Sequence, residues 1–362
     1  MRIGFVSLWA NRGQGIVTRQ IREVMDGAGH ETFVLARPTG DKAAMPAHVD
    51  ERDEWQDPRV TYGSRYLMDP AEYTDWARAN ELDIVMTDQN DQFDGIKALR
   101  EMGVTTIGRF VWERYGQAKV SKTKEAFDVV YSVTRAEQER YARFGIESPY
   151  VRYGIHPSII ASAAPKPVDG PMLFIFHGGA HGKRKPYQAT LAAFKKVANP
   201  DIRLVLKSQR TVTDRTEEFS HDDDPRVIEV VKDMEFDEYT AFFSSHHVCL
   251  TPTRWEGLGV WLFESVGFEQ PVITTDIPPV NEVIYHGVNG LLARPVEIGK
   301  KKPDLPIYDP DVDHLAELID EMASPGRLEE IRASLLADRD RLSWEHTKAD
   351  YSALVRGGLA AG

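Results

Sequence analysis

Thr251-Pro-Thr-Arg-Trp-Glu-Gly-Leu-Gly-Val-Trp-Leu-Phe-Glu-Ser-Val-Gly-Phe-Glu-Gln-Pro-Val-Ile-Thr-Thr-Asp276 is the stretch whose reading decides the fold. The apolar run Val248-Cys249-Leu250 before it reads as a buried strand that ends at Thr251. A loop follows with Arg254, Trp255, Glu256, Gly257, Leu258 and Gly259. Residues from about Val260 to Phe268 read as an apolar helix, and Pro271 to Thr274 as the next strand. This strand–loop–helix–strand unit places its loop at the carboxyl end of a strand, where open α/β sheets hold their ligands.

Glycines at 257 and 259 let the backbone come close to a ligand and expose its N–H groups. The helix behind them aims the positive end of its dipole the same way, which suits a phosphate or sugar oxygens. Glu256 in the loop and Glu264 in the helix set two carboxylates at different depths. That suits a ligand with hydroxyls at two places, such as a nucleotide sugar with one ribose and one hexose. The spacing by itself carries nothing in a chain with 56 acidic residues. Upstream, the strand Met172 to Phe176 leads into His177-Gly-Gly-Ala-His181-Gly-Lys183-Arg184-Lys185-Pro186 and a helix from Tyr187 to Ala198. Glycines followed by a basic cluster at a strand-to-helix turn make a phosphate site.

The block from Pro252 to Pro295 closely resembles the donor-site signature of retaining GT-B glycosyltransferases of family 4, also called glycosyltransferase group 1. Its carriers are Glu256-Gly-Leu-Gly259, Glu264-Ser-Val-Gly267, Pro271-Val-Ile273, Asp276, Glu282-Val-Ile284, Gly287, Gly290-Leu-Leu292 and Pro295. The resemblance implies an α/β chain of GT-B fold, with two Rossmann-like doubly wound domains facing each other across a cleft. It also implies transfer of a sugar from a nucleoside-diphosphate sugar, most commonly a UDP-sugar, to a hydroxyl acceptor, with no metal and no other cofactor. By analogy with relatives, Lys185 meets the donor's phosphates; the usual place of the arginine beside it holds Gly179 or Ala180, so Arg184 or Lys183 serves instead. Gly257, Leu258 and Gly259 offer amides beside them, Glu264 takes the ribose hydroxyls, and Glu256 the hydroxyls of the sugar. Lys207, at the end of the strand Ile202 to Leu206, offers a second cation or is a surface lysine. Relatives hold the nucleobase near Val230 to Met234.

The amino-terminal half resembles the family more loosely. Ile3 to Leu8 reads as a strand, Trp9 to Gly15 as a loop, Ile16 to Gly27 as a helix and Thr32 to Ala36 as a strand. Gly13 and Gly15 either bring backbone toward acceptor or donor phosphate, or make a tight turn. A dinucleotide fold fits poorly, because the third glycine position holds Thr18 and the second strand ends in Arg37 rather than an acid. Asp41 to Pro70 has no clean period and reads as an irregular excursion. Leu82 to Met86 is a strand, and Thr87 to Gln92 a polar loop that either grips acceptor hydroxyls or is merely solvated. After the strand Thr105 to Phe110, many relatives carry a histidine near the reacting sugar carbon; here stand Arg109, Phe110, Trp112 and Glu113. Lys119, Lys122 and Lys124 form a basic stretch, read as a solvated helix face or as a point of peripheral membrane contact.

The domain reading is 1–156 for an acceptor-binding domain, 157–171 for a linker, 172–342 for the donor domain and 343–362 for a helix crossing back to the first domain. Glu297 to Asp309 reads as a charged insertion. With 362 residues the chain is long for one core and ordinary for two. A net charge of −12 argues against a nucleic-acid partner. The lone cysteine, Cys249, reads as a core residue. A strand-like opening without a secretion signal makes cytoplasm the natural compartment. His177 and His181 flank a glycine loop with no third ligand, so zinc is not expected. Asp222-Asp-Asp224 reads as a solvated loop. The expected partners are thus a nucleotide sugar and a hydroxyl acceptor, whether small molecule, glycan or lipid-linked. A non-catalytic nucleotide-sugar-binding subunit and a sugar-nucleotide epimerase on the same fold are the competing readings.

Overall fold

A computed structural model describes residues 1–38, 50–179, 182–209, 224–301 and 304–361. The chain separates into two units, Met1–Tyr153 with Glu345–Gly362, and Gly154–Trp344.

The first unit is built on six parallel strands: β1 (Arg2–Leu8), β2 (Glu31–Arg37), β3 (Val60–Tyr62), β4 (Ile84–Asp88), β5 (Thr105–Arg109) and β6 (Val129–Val130). Their spatial order is β3-β2-β1-β4-β5-β6. The chain winds outward from β1 in one direction, then returns to β1's other side, so the topological switch lies between β1 and β4. Helices α1 (Gly13–Gly27), α2 (Pro70–Ala79), α3 (Phe93–Glu101), α4 (Val120–Ala126) and α5 (Arg135–Arg143) make the connections. α2 starts well because Asp69 and Glu72 form a reciprocal capping box and Pro70 presets the first helical residue. One core cluster joins Val6, Phe33, Leu35 and Val85 of the sheet to Met68, Tyr73, Trp76, Ile96 and Phe110.

The second unit begins with the short helix α6 (Pro157–Ala161) and repeats the same winding. Its strands are β7 (Met172–His177), β8 (Ile202–Ser208), β9 (Val227–Val231), β10 (Val248–Leu250), β11 (Val272–Thr275) and β12 (Gly290–Ala293). They lie in the order β12-β11-β10-β7-β8-β9, with the switch between β7 and β10. The strands read as near-continuous apolar runs, as expected where helices cover both faces of a parallel sheet. α7 (Tyr187–Lys196), α8 (Phe236–Ser244), α9 (Val260–Gly267) and α10 (Val280–Val283) connect them. A two-stranded antiparallel hairpin, β13 (Pro295–Lys301) and β14 (Leu305–Pro310), precedes α11 (Val312–Met322) and α12 (Arg327–Asp338). The last helix, α13 (Trp344–Ala361), clusters with the first unit from Glu345 on, where Arg152 pairs with Asp350 at 2.7 Å.

Five sequence expectations need correction. The segment read as an excursion contributes β3, because a three-residue strand is too short to show alternation. The insertion at 297–309 is a hairpin, hidden by its exposed and charged first strand. Residues expected to form a linker from Pro157 are docked on the second unit: Ile159 is buried, and the Lys166 ammonium bonds the Phe268 carbonyl at 2.5 Å. The units divide at 153/154 and 344/345 rather than at 156 and 342. Finally, Gly13 and Gly15 lie in the first turn of α1, not in a free loop. Gly13 is exposed, whereas Gly15 is buried where a Cβ would overlap the Ala10 carbonyl, so it serves close helix–loop packing.

No described helix is long and apolar enough to cross a membrane.

Candidate active site

The switch point of the second unit brings two loops together. β7 ends at His177, whose backbone N–H donates to Thr251 Oγ1 at 2.9 Å, just beyond the end of β10. Farther out, the Arg254 amide donates to the Arg184 carbonyl at 2.9 Å, sewing the loop after β10 to the one after β7. Arg254 also donates to Asp309 at 2.7 Å and, through Nη1, to the Lys183 carbonyl at 3.2 Å. The hairpin's β14 thus buttresses the loop. Gly259 caps α9 at φ +75°, a left-handed value that favours glycine, and a Cβ there would also press on Leu262.

Glu256 is the electrostatic centre. It is 4% exposed, and both oxygens are engaged. Oε1 accepts from Arg184 Nη1 at 2.7 Å and from the Gly257 amide at 2.9 Å. Oε2 accepts from the Trp261 indole at 3.1 Å and lies 3.6 Å from Lys185 Nζ. Burial alone would raise this carboxyl, but Arg184, Lys185 and the indole and amide donors override it and hold it down at about 2. Lys185 is pulled the other way. Burial lowers it to about 8, with the Arg184 charge adding to the fall and Glu256 opposing it. Its ammonium sits 4.5 Å over the Trp261 ring and has no hydrogen-bond partner.

One turn along α9, Glu264 is 7% exposed and accepts from the Tyr239 hydroxyl at 2.7 Å. Burial raises its carboxyl to about 7, with the tyrosine hydrogen bond pulling it part of the way back. The same hydroxyl lies 3.3 Å from His177 Nε2. Burial, with the Lys185 and Lys207 charges, lowers His177 to about 3, so the ring is neutral at ordinary pH. Tyr239 and Phe243, four apart on α8, both pack on the imidazole.

Of the residues singled out in sequence, Arg184, Lys185, Glu256, Gly257, Leu258, Gly259 and Glu264 belong to this one switch point. Glu256, expected to meet sugar hydroxyls, is here the counter-charge of the two cations. Lys183 is exposed and joins through its carbonyl alone. Lys207 is 3% exposed, and its ammonium donates to the Lys232 carbonyl at 2.7 Å, tying β8 to the end of β9. Gly13 and Gly15 belong to the first unit. The sequence reading missed Tyr239, Trp261 and Arg254 as site members. The four-residue spacing of Tyr239 and Phe243 was the only hint, and it is equally a core pattern. In the first unit, residues 90–92 spend their polar groups internally: Asn90 donates to Tyr73 at 3.1 Å, Asp91 pairs with Lys119 at 2.8 Å, and Gln92 accepts from the Tyr73 hydroxyl at 2.5 Å. Among the described residues no group of three or more His, Cys, Asp or Glu is placed to hold a metal. His181 and Asp222 lie outside the described residues.

Comparison with known proteins follows this geometry. Residues 171–301 match the family described as "Glycosyl transferases group 1". An uncharacterized glycosyltransferase of Methanocaldococcus jannaschii is 35% identical over 66 residues, which is 18% of this chain and 19% of that protein's length. Solved structures align over the whole chain. Sucrose-phosphate synthase of Thermosynechococcus elongatus superposes with a TM-score of 0.73 at 15% identity, covering 100% of both chains. Trehalose-6-phosphate from E. coli bound with UDP-2-fluoro glucose gives 0.68 at 12% identity over 98% of both chains. A glycosyltransferase of Rickettsia africae gives 0.69 at 12% identity, over 99% of this chain and 98% of that one. The fold is GT-B, and residues 171–301 are similar to a glycosyltransferase domain.

Proposed function

We propose that this chain, a glycosyltransferase domain on a GT-B fold, moves a sugar from a nucleoside-diphosphate sugar to a hydroxyl acceptor with retention and without a metal. The observation that carries the reading is Lys185: a buried ammonium without a hydrogen-bond partner, set beside Arg184 at a switch point and held by a carboxylate and an indole. A buried charge is retained where something pairs with it in the working state. A diphosphate offers oxygens to both cations at once, and its charge grows as the nucleotide departs. Fixed cations that meet developing charge lower the barrier without reorganising. The amides of Gly257, Leu258 and Gly259 are the proposed neighbours of the phosphates.

Glu264 is proposed to take the ribose hydroxyls, exchanging the Tyr239 hydroxyl for them. Once the phosphates draw Arg184 and Lys185 away, Glu256 has lone pairs for the sugar. The UDP-sugar bound by the E. coli neighbour supports UDP as the base-bearing leaving group. The acceptor is assigned to the first unit.

A thermal-shift screen of UDP-, GDP-, ADP- and dTDP-sugars, followed by an assay of nucleotide release, tests this. One nucleotide sugar is expected to stabilise the protein and to be slowly hydrolysed to free nucleotide and sugar. Stabilisation without release leaves a binding subunit; epimerised sugar still attached to nucleotide means an epimerase.

A further inference from the structure

In the first unit, Arg37 ends β2 at the carboxyl edge of the sheet and is 3% exposed. Its guanidinium stacks on the Tyr66 ring at 4.3 Å. Stacking covers a face of the guanidinium and leaves its in-plane N–H edges to be satisfied. Yet Nε and Nη1 are buried without a hydrogen-bond partner, and no carboxylate among the described residues pairs with the group. The nearby Asp88 is taken by Arg109 at 3.1 Å.

A second orphan lies on the same face. Phe33 and Leu35 of β2, Val6 of β1 and Val85 of β4 all face the core cluster that includes Met68 and Tyr73. Strand side chains alternate, so Arg37 and Thr87 point the same way, on either side of β1 and across the switch point. Thr87 Oγ1 is also buried without a partner. Gly63 brings the following loop over the end of β2 so closely that a Cβ would strike Met68. Orphaned donors of two kinds, a guanidinium and a hydroxyl, thus lie on one face of the sheet, near the carboxyl ends of β2 and β4 where doubly wound sheets hold ligands.

We infer that Arg37 and Thr87 form an oxyanion site that takes the phosphate of a phosphorylated sugar acceptor. The word acceptor rests on the function proposed above; the anion site does not. Arg37 supplies unpartnered N–H groups on two edges of its guanidinium, and Thr87 a hydroxyl, each able to donate to a phosphate oxygen.

The test is a thermal-shift and calorimetric titration with inorganic phosphate and with glucose 6-phosphate, no nucleotide present, on wild type, Arg37→Lys, Arg37→Met and Thr87→Val. Wild type should be stabilised by both, more by the sugar phosphate. Arg37→Met should abolish the response, and Arg37→Lys should keep part of it. Thr87→Val should weaken binding about tenfold, as for a hydrogen bond to a charged group. Without ligand, Arg37→Met should melt at or above the wild-type temperature. A clearly lower melting point would make Arg37 structural and overturn the site. An equal response in wild type and Arg37→Met, or none in wild type, would also overturn it. A response to phosphate alone would overturn the assignment to an acceptor. UDP binding, measured on the same proteins, should survive Arg37→Met; its absence from wild type would sink the donor reading and leave the anion site standing.

Discussion

The two units wind six strands in the same order, and each sets a cluster of buried charges near the carboxyl end of its sheet, yet the clusters are finished differently. In the first unit Arg109 spends its guanidinium on two carboxylates. Nε and Nη2 meet Glu137, with Nη2 at 2.6 Å, and Nη1 meets Asp88 at 3.1 Å. The Val133 amide closes Glu137's second oxygen at 2.8 Å. In the second unit Glu256 is equally surrounded, but the cation beside it, Lys185, has no hydrogen bond. The first cluster is satisfied and structural. The second is satisfied only on its anion side, which is how a site waiting for another anion is built. The same fold therefore supports a knot and a socket, and hydrogen-bond completeness tells them apart.

Breaking the knot should have the largest effect on folding. Glu137→Ala leaves Arg109, 3% exposed, with Asp88 as its remaining partner and should cost about 3–5 kcal/mol of stability, read as a shift of the urea midpoint. Donor binding by the surviving folded fraction should be unchanged. A loss under 1 kcal/mol would mean that the knot is not what distinguishes the two units.

The socket should respond less in stability and more in turnover. Lys185→Ala removes a cation that burial disfavours but also one of the charges that stabilise Glu256, so the melting temperature should change less than in Glu137→Ala. Turnover at saturating donor should fall about 10²–10³-fold, the usual loss when one fixed donor to a developing charge is removed. Unchanged kcat would reduce Lys185 to a packing residue.

This contrast was only half legible in the sequence. The donor loop, its flanking strands and α8 are apolar runs punctuated by glycine, and hydrophobic period and turn chemistry are enough to place them. Glu256 and Glu264 stood out through the string around them. What sequence cannot show is which charge completes which. Arg109 was read only as one of four residues standing where relatives carry a histidine, whereas its partners lie 21 and 28 residues away, Asp88 meeting it through strand pairing and Glu137 from α5. Lys207, at the end of a strand, read as a second phosphate cation or a surface lysine, but it is buried and the carbonyl that takes its ammonium sits on the loop after β9. Tyr239 was invisible for the same reason. Its partner Glu264 is 25 residues on, and a tyrosine on an apolar helix face is ordinary core until the carboxylate beneath it is seen.

Glu264 sharpens the comparison because it is a single carboxylate with one tyrosine donor rather than a member of a cage. Glu264→Ala should weaken nucleotide binding roughly tenfold to a hundredfold by calorimetry, the value of a charged hydrogen bond at about 1.5–3 kcal/mol. Tyr239→Phe should do the opposite and tighten binding slightly, since the ribose hydroxyls would no longer displace a tyrosine. Unaltered affinity in Glu264→Ala would refute the ribose assignment.

The smallest effect is the pH profile, where the difference between cage and lone carboxylate becomes a difference in sign. Glu256, held at about 2, stays ionised across the working range and adds no slope. Glu264, raised from an ordinary 4.5 to about 7, is protonated in the folded protein over that interval. Folded protein then binds the extra proton, so stability falls as pH rises from 4.5 through 7. Donor affinity, which uses the ionised carboxylate, should rise as pH approaches 7, by up to about tenfold per unit. Lys185, lowered to about 8, loses its charge above that point, so affinity should fall again on the alkaline side. Nucleotide binding is therefore expected to peak between about 7 and 8. Glu264→Gln should flatten the acid limb alone, and Lys185→Arg should push the alkaline limb outward because a guanidinium stays charged. A profile that keeps both limbs in both variants would assign them to other groups and remove the electrostatic distinction between the two carboxylates.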